Sequence, residues 1–206
     1  MATRSDFSGK QVGESVAFGV YPQTKKGKDS TPIEWLVLEN DGSSVLLISK
    51  FILDSVPYNT KKVDMNWRDC SLRVWLNSDF YTKAFSESDK ACIVESTVSG
   101  NGSMGKDDEN VVTTDKVFLL NIPESKQHFA KAADRIAMGT EFAKSKKSFT
   151  GKLEVYKEHS PYWLRNRSDY GPQVAAVVDN GGMPNPTGGN IHLEYEGVRP
   201  VIRVGI

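Results

Sequence analysis

Apolar and β-branched residues cluster over 16–21, 33–39 and 45–53, and segments rich in Gly, Asp and Lys divide them. Short apolar or alternating runs bounded by turn residues predict strands, here an antiparallel meander within residues 12–53. The Asn40-Asp41-Gly42-Ser43 turn carries the Asp-Gly pair favoured in tight hairpins and so fixes the register of the second and third strands. The period then lengthens. Leu72, Trp75 and Leu76 share one face of a helix predicted over 71–76, and Ala91, Ile93 and Val94 one face of another over 86–94. Ser86-Glu87-Ser88-Asp89 has the Ser-x-x-acid form of a helix N-terminus, where a side-chain oxygen caps free amides. Residues 99–110 are polar and Gly-rich and read as a mobile surface loop. Beyond them the pattern predicts a buried strand over 115–120 and two short helices over 123–129 and 133–143. This completes a helical middle spanning 66–145. Lys144, Lys146 and Lys147 then read as a solvated helix end, where cations suit the dipole.

The last third, residues 160–206, alternates three apolar runs with stretches of polar, Gly and Pro residues. The runs are Pro161 to Arg165, Ala175 to Val178 and Gly197 to Ile202. Between them, 166–173 and 179–190 hold Asn, Ser, Asp, Tyr, Met and several Gly, the composition of loops that bind rather than catalyse. Arg165 and Arg199 fall inside otherwise apolar strands. A guanidinium is expensive to bury unless it donates to carbonyls or carboxylates, so both are expected to clamp loop ends. Trp35 and Trp75, among aliphatic neighbours, are expected in the core. Trp163, two residues before the 166–173 loop, stands between a core anchor and a ligand platform.

Composition narrows the classes. A chain of 206 residues, 38% hydrophobic and 10% aromatic, is long enough for one sizeable core, and residues 1–206 are read as a single domain. Lys plus Arg balance Asp plus Glu at 26 each, so no overall field favours nucleic acid or an anionic membrane. The amino-terminal stretch lacks the apolar core of a secretion signal, and no run approaches the roughly 20 apolar residues of a spanning helix. The expectation is a soluble protein without membrane insertion, its location left open between the cytoplasm and a phage particle.

Catalytic signatures are scarce. The sequence has no GxSxG elbow, Walker-type phosphate loop, HExxH, CxxC or Gly-rich dinucleotide turn. His128, His159 and His192 are far apart, and no two lie at metal-ligand spacing. The acidic run Asp107-Asp108-Glu109 offers oxygen ligands for calcium, but not with the alternation of an EF-hand. Cys70 and Cys92 read as small buried hydrophobes rather than as nucleophiles or a disulfide. No cofactor and no enzymatic activity is expected.

Several ordered motifs carry a resemblance: Phe18-Gly19-x-Tyr21-Pro22-Gln23, Pro32 to Leu38, Cys70-Ser71-Leu72-Arg73-x-Trp75-Leu76-Asn77, Asp115 to Leu120, Trp163-Leu164-Arg165 and Gly197-Val198-Arg199-Pro200. Their order is similar to a bacterial and phage domain family of unknown function. Its Trp-Leu-Arg and Gly-Val-Arg-Pro ending resembles the C-type-lectin-like fold of formylglycine-generating-enzyme relatives and of variable proteins from diversity-generating retroelements. The resemblance implies an α+β, C-type-lectin-like domain whose carboxy-terminal strands display a variable surface for a protein or glycan ligand. The implied ligand-binding positions are Trp163, Asn166, Ser168, Asp169, Tyr170, Gln173, Asp179, Asn180, Met183, Asn185, Asn190, His192, Glu194 and Tyr195. Asn166-Arg167 replaces the Ser-Pro usual after the Trp-Leu-Arg segment. Two other classes stay open: a non-catalytic assembly domain of a phage or bacterial surface complex, and an enzyme of the formylglycine-generating type. The latter's relatives use paired cysteines in the carboxy-terminal part, and residues 161–206 contain none.

Overall fold

A computed structural model describes residues 7–99, 111–153, 160–168, 170–171 and 173–206. The architecture is α+β and mostly antiparallel sheet. Strands β1 (Ser15–Tyr21), β2 (Thr31–Asn40) and β3 (Ser44–Ser49) form the meander expected from the sequence. Its second turn is the Asp41-Gly42 hairpin. Gly42 takes a left-handed φ of 82°, and the Asp41 carboxylate accepts from Ser43 and Ser44. Those bonds, led by the Ser43 hydroxyl, hold the Asp41 carboxyl below the usual carboxylate range.

The remaining strands are β4 (Ile93–Val94), β5 (Ser96–Ser99), β6 (Val112–Asp115), β7 (Val117–Phe118), β8 (Tyr162–Arg167), β9 (Val174–Val178), β10 (Pro184–Asn190) and β11 (Val201–Gly205). The carboxy-terminal β11 inserts beside β3, giving a six-stranded sheet ordered β1-β2-β3-β11-β4, with β7 also on β11. Strands β10, β9 and β8 make a separate three-stranded sheet, and β5 and β6 a hairpin. β3 is buried along its whole length because chain packs on both of its faces. Buried side chains from the six-stranded and three-stranded sheets belong to one hydrophobic core.

Helices are α1 (Ser71–Trp75), α2 (Tyr81–Ala84), α3 (Glu87–Lys90), α4 (Ile122–His128), α5 (Ala132–Arg135) and α6 (Glu141–Lys144). A π-helical stretch, Leu76–Phe80, joins α1 to α2. Here Asn77 turns its side chain into the helix ladder. Its Nδ2 donates to the Arg73 carbonyl at 3.0 Å and to that of Val117 at 2.8 Å, while its Oδ1 accepts from the amides of Lys116 and Val117. Insertion of a side chain into the ladder is an ordinary cause of such a distortion.

Three expected elements change. The helix over 86–94 stops at Lys90, because Ile93 and Val94 pair with Val204 and Arg203 of β11. The β-branched pair gains more from closing the sheet than from extending a short helix. The strand over 115–120 breaks at Lys116, whose amide Asn77 captures. The helix over 133–143 splits into α5 and α6, since Gly139 bridges to Ile52. The lysine cluster is also less solvated than expected: Lys146 Nζ lies 3.0 Å from Oδ1 of buried Asp54. The other Asp54 oxygen accepts from Tyr21 Oη at 2.7 Å. The Asp107-Asp108-Glu109 run lies outside the described residues, as does nearly all of the 99–110 loop. Among the described residues no helix is long and apolar enough to cross a membrane.

Candidate functional site

The carboxy-terminal sheet is built to hold two loops. Its middle strand, β9, is short, aliphatic and buried from Ala175 to Val178. On one side β8 pairs Tyr162 with Val178 and Arg167 with Ala175, and on the other β10 pairs Pro184 with Val178 and Asn190 with Val174. The β8–β9 loop closes tightly: Ser168 N donates to Val174 O at 2.9 Å, Val174 N to Gly171 O at 3.2 Å, and Ile191 N to Gln173 O at 3.1 Å. Tyr170, Gln173 and Asn190 are thereby brought to the same end of the sheet. Tyr170 is 76% exposed.

The β9–β10 turn forms the opposite end. Asp179 Oδ1 accepts from Gly181 N and Met183 N, both at 2.9 Å, so this carboxylate is committed to shaping its own turn. Asn180 and Met183 point outward. Gly182, at φ 76°, lets the turn lie against α5: a Cβ there would meet the Ala132 carbonyl oxygen at 2.0 Å. Arg135 Nε then donates to Gly182 O at 2.7 Å. In β10, Asn185 Oδ1 accepts from Thr187 N and Oγ1, at 2.8 and 2.6 Å. It thereby stabilises the bulge between Asn185 and Gly189.

Three of the expected positions are inside. Trp163 is buried, donates from Nε1 to Val56 O at 3.0 Å, and meets the Tyr58 ring edge-on with centroids 5.7 Å apart. Asn166 is buried, and its Oδ1 accepts the Ile122 amide at 2.7 Å at the start of α4. Ser168 is buried, with its hydroxyl bound by Tyr170 N at 3.0 Å. These side chains hold the frame and are not displayed, because Val56 and Tyr58, the start of α4 and the Tyr170 amide take up their contacts. Asp169 lies outside the described residues.

The return segment from His192 to Glu196 packs along residues 52–59. Ser55 Oγ reaches the carbonyls of Glu194 and Glu196, and Tyr195 O accepts from Thr150 N at 2.9 Å. Glu194 and Tyr195 expose their side chains. His192 is half-buried, and its Nδ1, like Oε2 of Glu196, is a buried polar atom without a hydrogen-bond partner. A Cβ on Gly189 would come within 2.9 Å of Glu196 Oε1 and 3.1 Å of the Trp163 indole. This glycine thus makes room for both side chains under β10. Burial there pushes the Glu196 carboxyl up to about 7. Glu196 carries no sequence signal; only the topology that folds it under β10 reveals it.

Both cysteines are free. Cys70 caps α1, accepting from Arg73 N at 3.4 Å, and burial pushes its thiol up to about 12. A thiol held that firmly in its neutral form is a poor nucleophile. Arg165 and Arg199 are clamps, as expected. Arg199 donates to Ser49 O at 2.8 Å and to Tyr162 Oη at 3.1 Å.

This chain belongs to a family described as a domain of unknown function (DUF6273), whose profile matches residues 42–205. No curated protein and no solved structure matches it.

Proposed function

We propose that this domain is a recognition module that binds a protein or glycan through the loops and edge of its carboxy-terminal sheet. The observation that carries the reading is the display of Tyr170 at one end of the sheet, Met183 at the other and Tyr195 on the return segment, at 76%, 54% and 44% exposure, on a frame whose strands β8 and β9 are largely buried. Large aromatic side chains fixed on a rigid frame offer contact area at low entropic cost, and Gln173, Asn180, Asn190 and Glu194 supply adaptable hydrogen bonds beside them. Trp163, Asn166 and Ser168 serve this surface only by holding its frame.

The finer reading, a C-type-lectin-like display varied by a retroelement, rests on the order of sequence motifs. Sequencing the 3′ end of the gene across descendants of one clone tests it. Substitutions confined to adenine positions, beside a near-copy of the region and a reverse transcriptase gene, support variation, and an invariant end removes it. Binding itself is tested by comparing the parent with Tyr170→Ala/Tyr195→Ala on arrays of glycans and cell-surface proteins. Loss of a parental signal with an unchanged unfolding midpoint supports recognition. A signal indifferent to both tyrosines refutes this surface, and no signal at all favours an assembly role.

A further inference from the structure

A concave surface lies on the six-stranded sheet. Register places Glu39 opposite Leu46, Leu46 opposite Arg203, and Arg203 opposite Val94. Partners in a ladder share a face, so these four side chains form one row across β2, β3, β11 and β4. Arg203 reaches over Leu46 to Glu39, with Nη2 2.7 Å from Oε2, and its Nη1 lies 3.1 Å from Ser44 Oγ. Helix α4 forms one wall, with Glu124, Gln127 and His128 at i, i+3 and i+4 on a single helix face. Strand β5 and the preceding Glu95 form the other. Between them is a cleft of about 410 Å3 floored by Leu46, Phe118 and Leu120, within the size range of small-molecule sites.

The polar atoms of this cleft are not paired off among themselves. The His128 side chain is only 7% exposed, yet its nearest charged neighbour, Glu39 Oε1, is 3.7 Å from Nε2, beyond hydrogen-bond distance. Among the described residues neither ring nitrogen has a hydrogen-bond partner. Ser96 Oγ is buried and also lacks a partner. A polar group withdrawn from water without a partner is destabilising, and Ser96 Oγ, on a residue that lines this cleft, points to a ligand that completes it. The charges indicate its sign. Glu39 is matched by Arg203 and Glu124 by Arg165, whereas Glu95 has no ion pair among the described residues. One negative charge, on exposed Glu95, is therefore left over, while the second Glu39 oxygen faces only His128, at 3.7 Å.

We propose that this cleft binds a small organic amine, its ammonium group against Glu95 and Glu39, its donors satisfying Ser96 and His128, and its carbon chain on the Leu46-Phe118-Leu120 floor. The proposal does not depend on the recognition surface. The test is amide chemical-shift mapping of the full chain with 1,5-diaminopentane, using 1,5-pentanediol and glutarate as length-matched neutral and anionic probes. The expected result is saturable shifts at residues 95–98 and 124–128 with the diamine alone. Glu95→Gln and Ser96→Ala should each weaken binding about fivefold or more, while Ser96→Ala leaves the unfolding midpoint equal to or above the parent's. No saturable shifts with the diamine at millimolar concentration, shifts with glutarate instead, or equal affinity in both variants would overturn it.

Discussion

Arg165 and Glu124 meet as a two-pronged pair between β8 and the first turn of α4. Nη1 lies 2.6 Å from one carboxylate oxygen and Nη2 bonds the other. The guanidinium is fully buried and also donates to Leu119 O and Ser99 O, at 2.6 and 2.7 Å. Glu124 keeps 30% of its side chain exposed and caps the Asn121 amide at 3.0 Å. The asymmetry in burial makes a directional prediction. Glu124→Ala strands a charge with no route to water and should destabilise by about 3–5 kcal/mol. Arg165→Met leaves a carboxylate that can hydrate, and should be the milder change. Urea unfolding of both variants checks this. Equal losses, or less than about 1 kcal/mol for Glu124→Ala, would mean that the carbonyl oxygens alone satisfy the guanidinium.

Glu196 predicts a pH dependence. Its folded value, about 7, lies above the ordinary 4.5 because burial disfavours the charged form. Where the folded value is raised, the associated stability is fully present below the unfolded value and is lost as pH rises through the folded one. Stability from this residue is thus greatest below about pH 4.5 and declines towards pH 8. Glu196→Gln removes the ionisation. Its stability relative to the parent should climb across that window by up to roughly 3 kcal/mol. Parallel stability profiles for the two proteins would show that the carboxyl reaches water when charged.

The meander was legible because its strands combine apolar runs with a turn whose Asp and Gly each have a mechanical job. The arginine clamps were legible too, since a guanidinium in an apolar strand demands acceptors wherever they come from. What local pattern could not supply was pairing across the chain. Ile93 and Val94 have helical spacing with Ala91 but become a strand because β11 arrives beside them. Asn166 and Ser168 look like loop polar residues and turn inward because the first turn of α4 and the Tyr170 amide of the β8–β9 loop take their side-chain oxygens. The amine cleft collects residues from β2, β5, α4 and β11, so no window of sequence could outline it.

The two thiols should differ in reactivity. Cys70 is buried at the N-cap of α1, and its proton is held by burial well above neutral pH. Cys92 follows α3 and is only partly buried. Because the thiolate is the reactive form, iodoacetamide at pH 8 should label Cys92 in the native protein and reach Cys70 only on unfolding. Mass mapping of the labelled peptides decides the matter. Comparable native labelling at both positions would mean that the α1 N-terminus opens on the labelling timescale.

Asn166 and Tyr170, four residues apart, should respond to alanine in opposite ways. Asn166 Oδ1 accepts the Ile122 amide at 2.7 Å, one of the unpaired N–H groups at the start of α4. Asn166→Ala leaves that buried donor unmet and should destabilise by about 1–3 kcal/mol. Tyr170→Ala removes a ring that stands mostly in solvent and should change stability by less than about 0.5 kcal/mol. Thermal unfolding of both variants measures the contrast. A large loss at Tyr170 would mean that its ring anchors the loop, and recognition would then have to lie with Met183 and Tyr195. If instead only Asn166→Ala loses stability, Asn166 belongs to the frame, and any binding defect in Tyr170→Ala can be assigned to the missing side chain rather than to a disturbed fold.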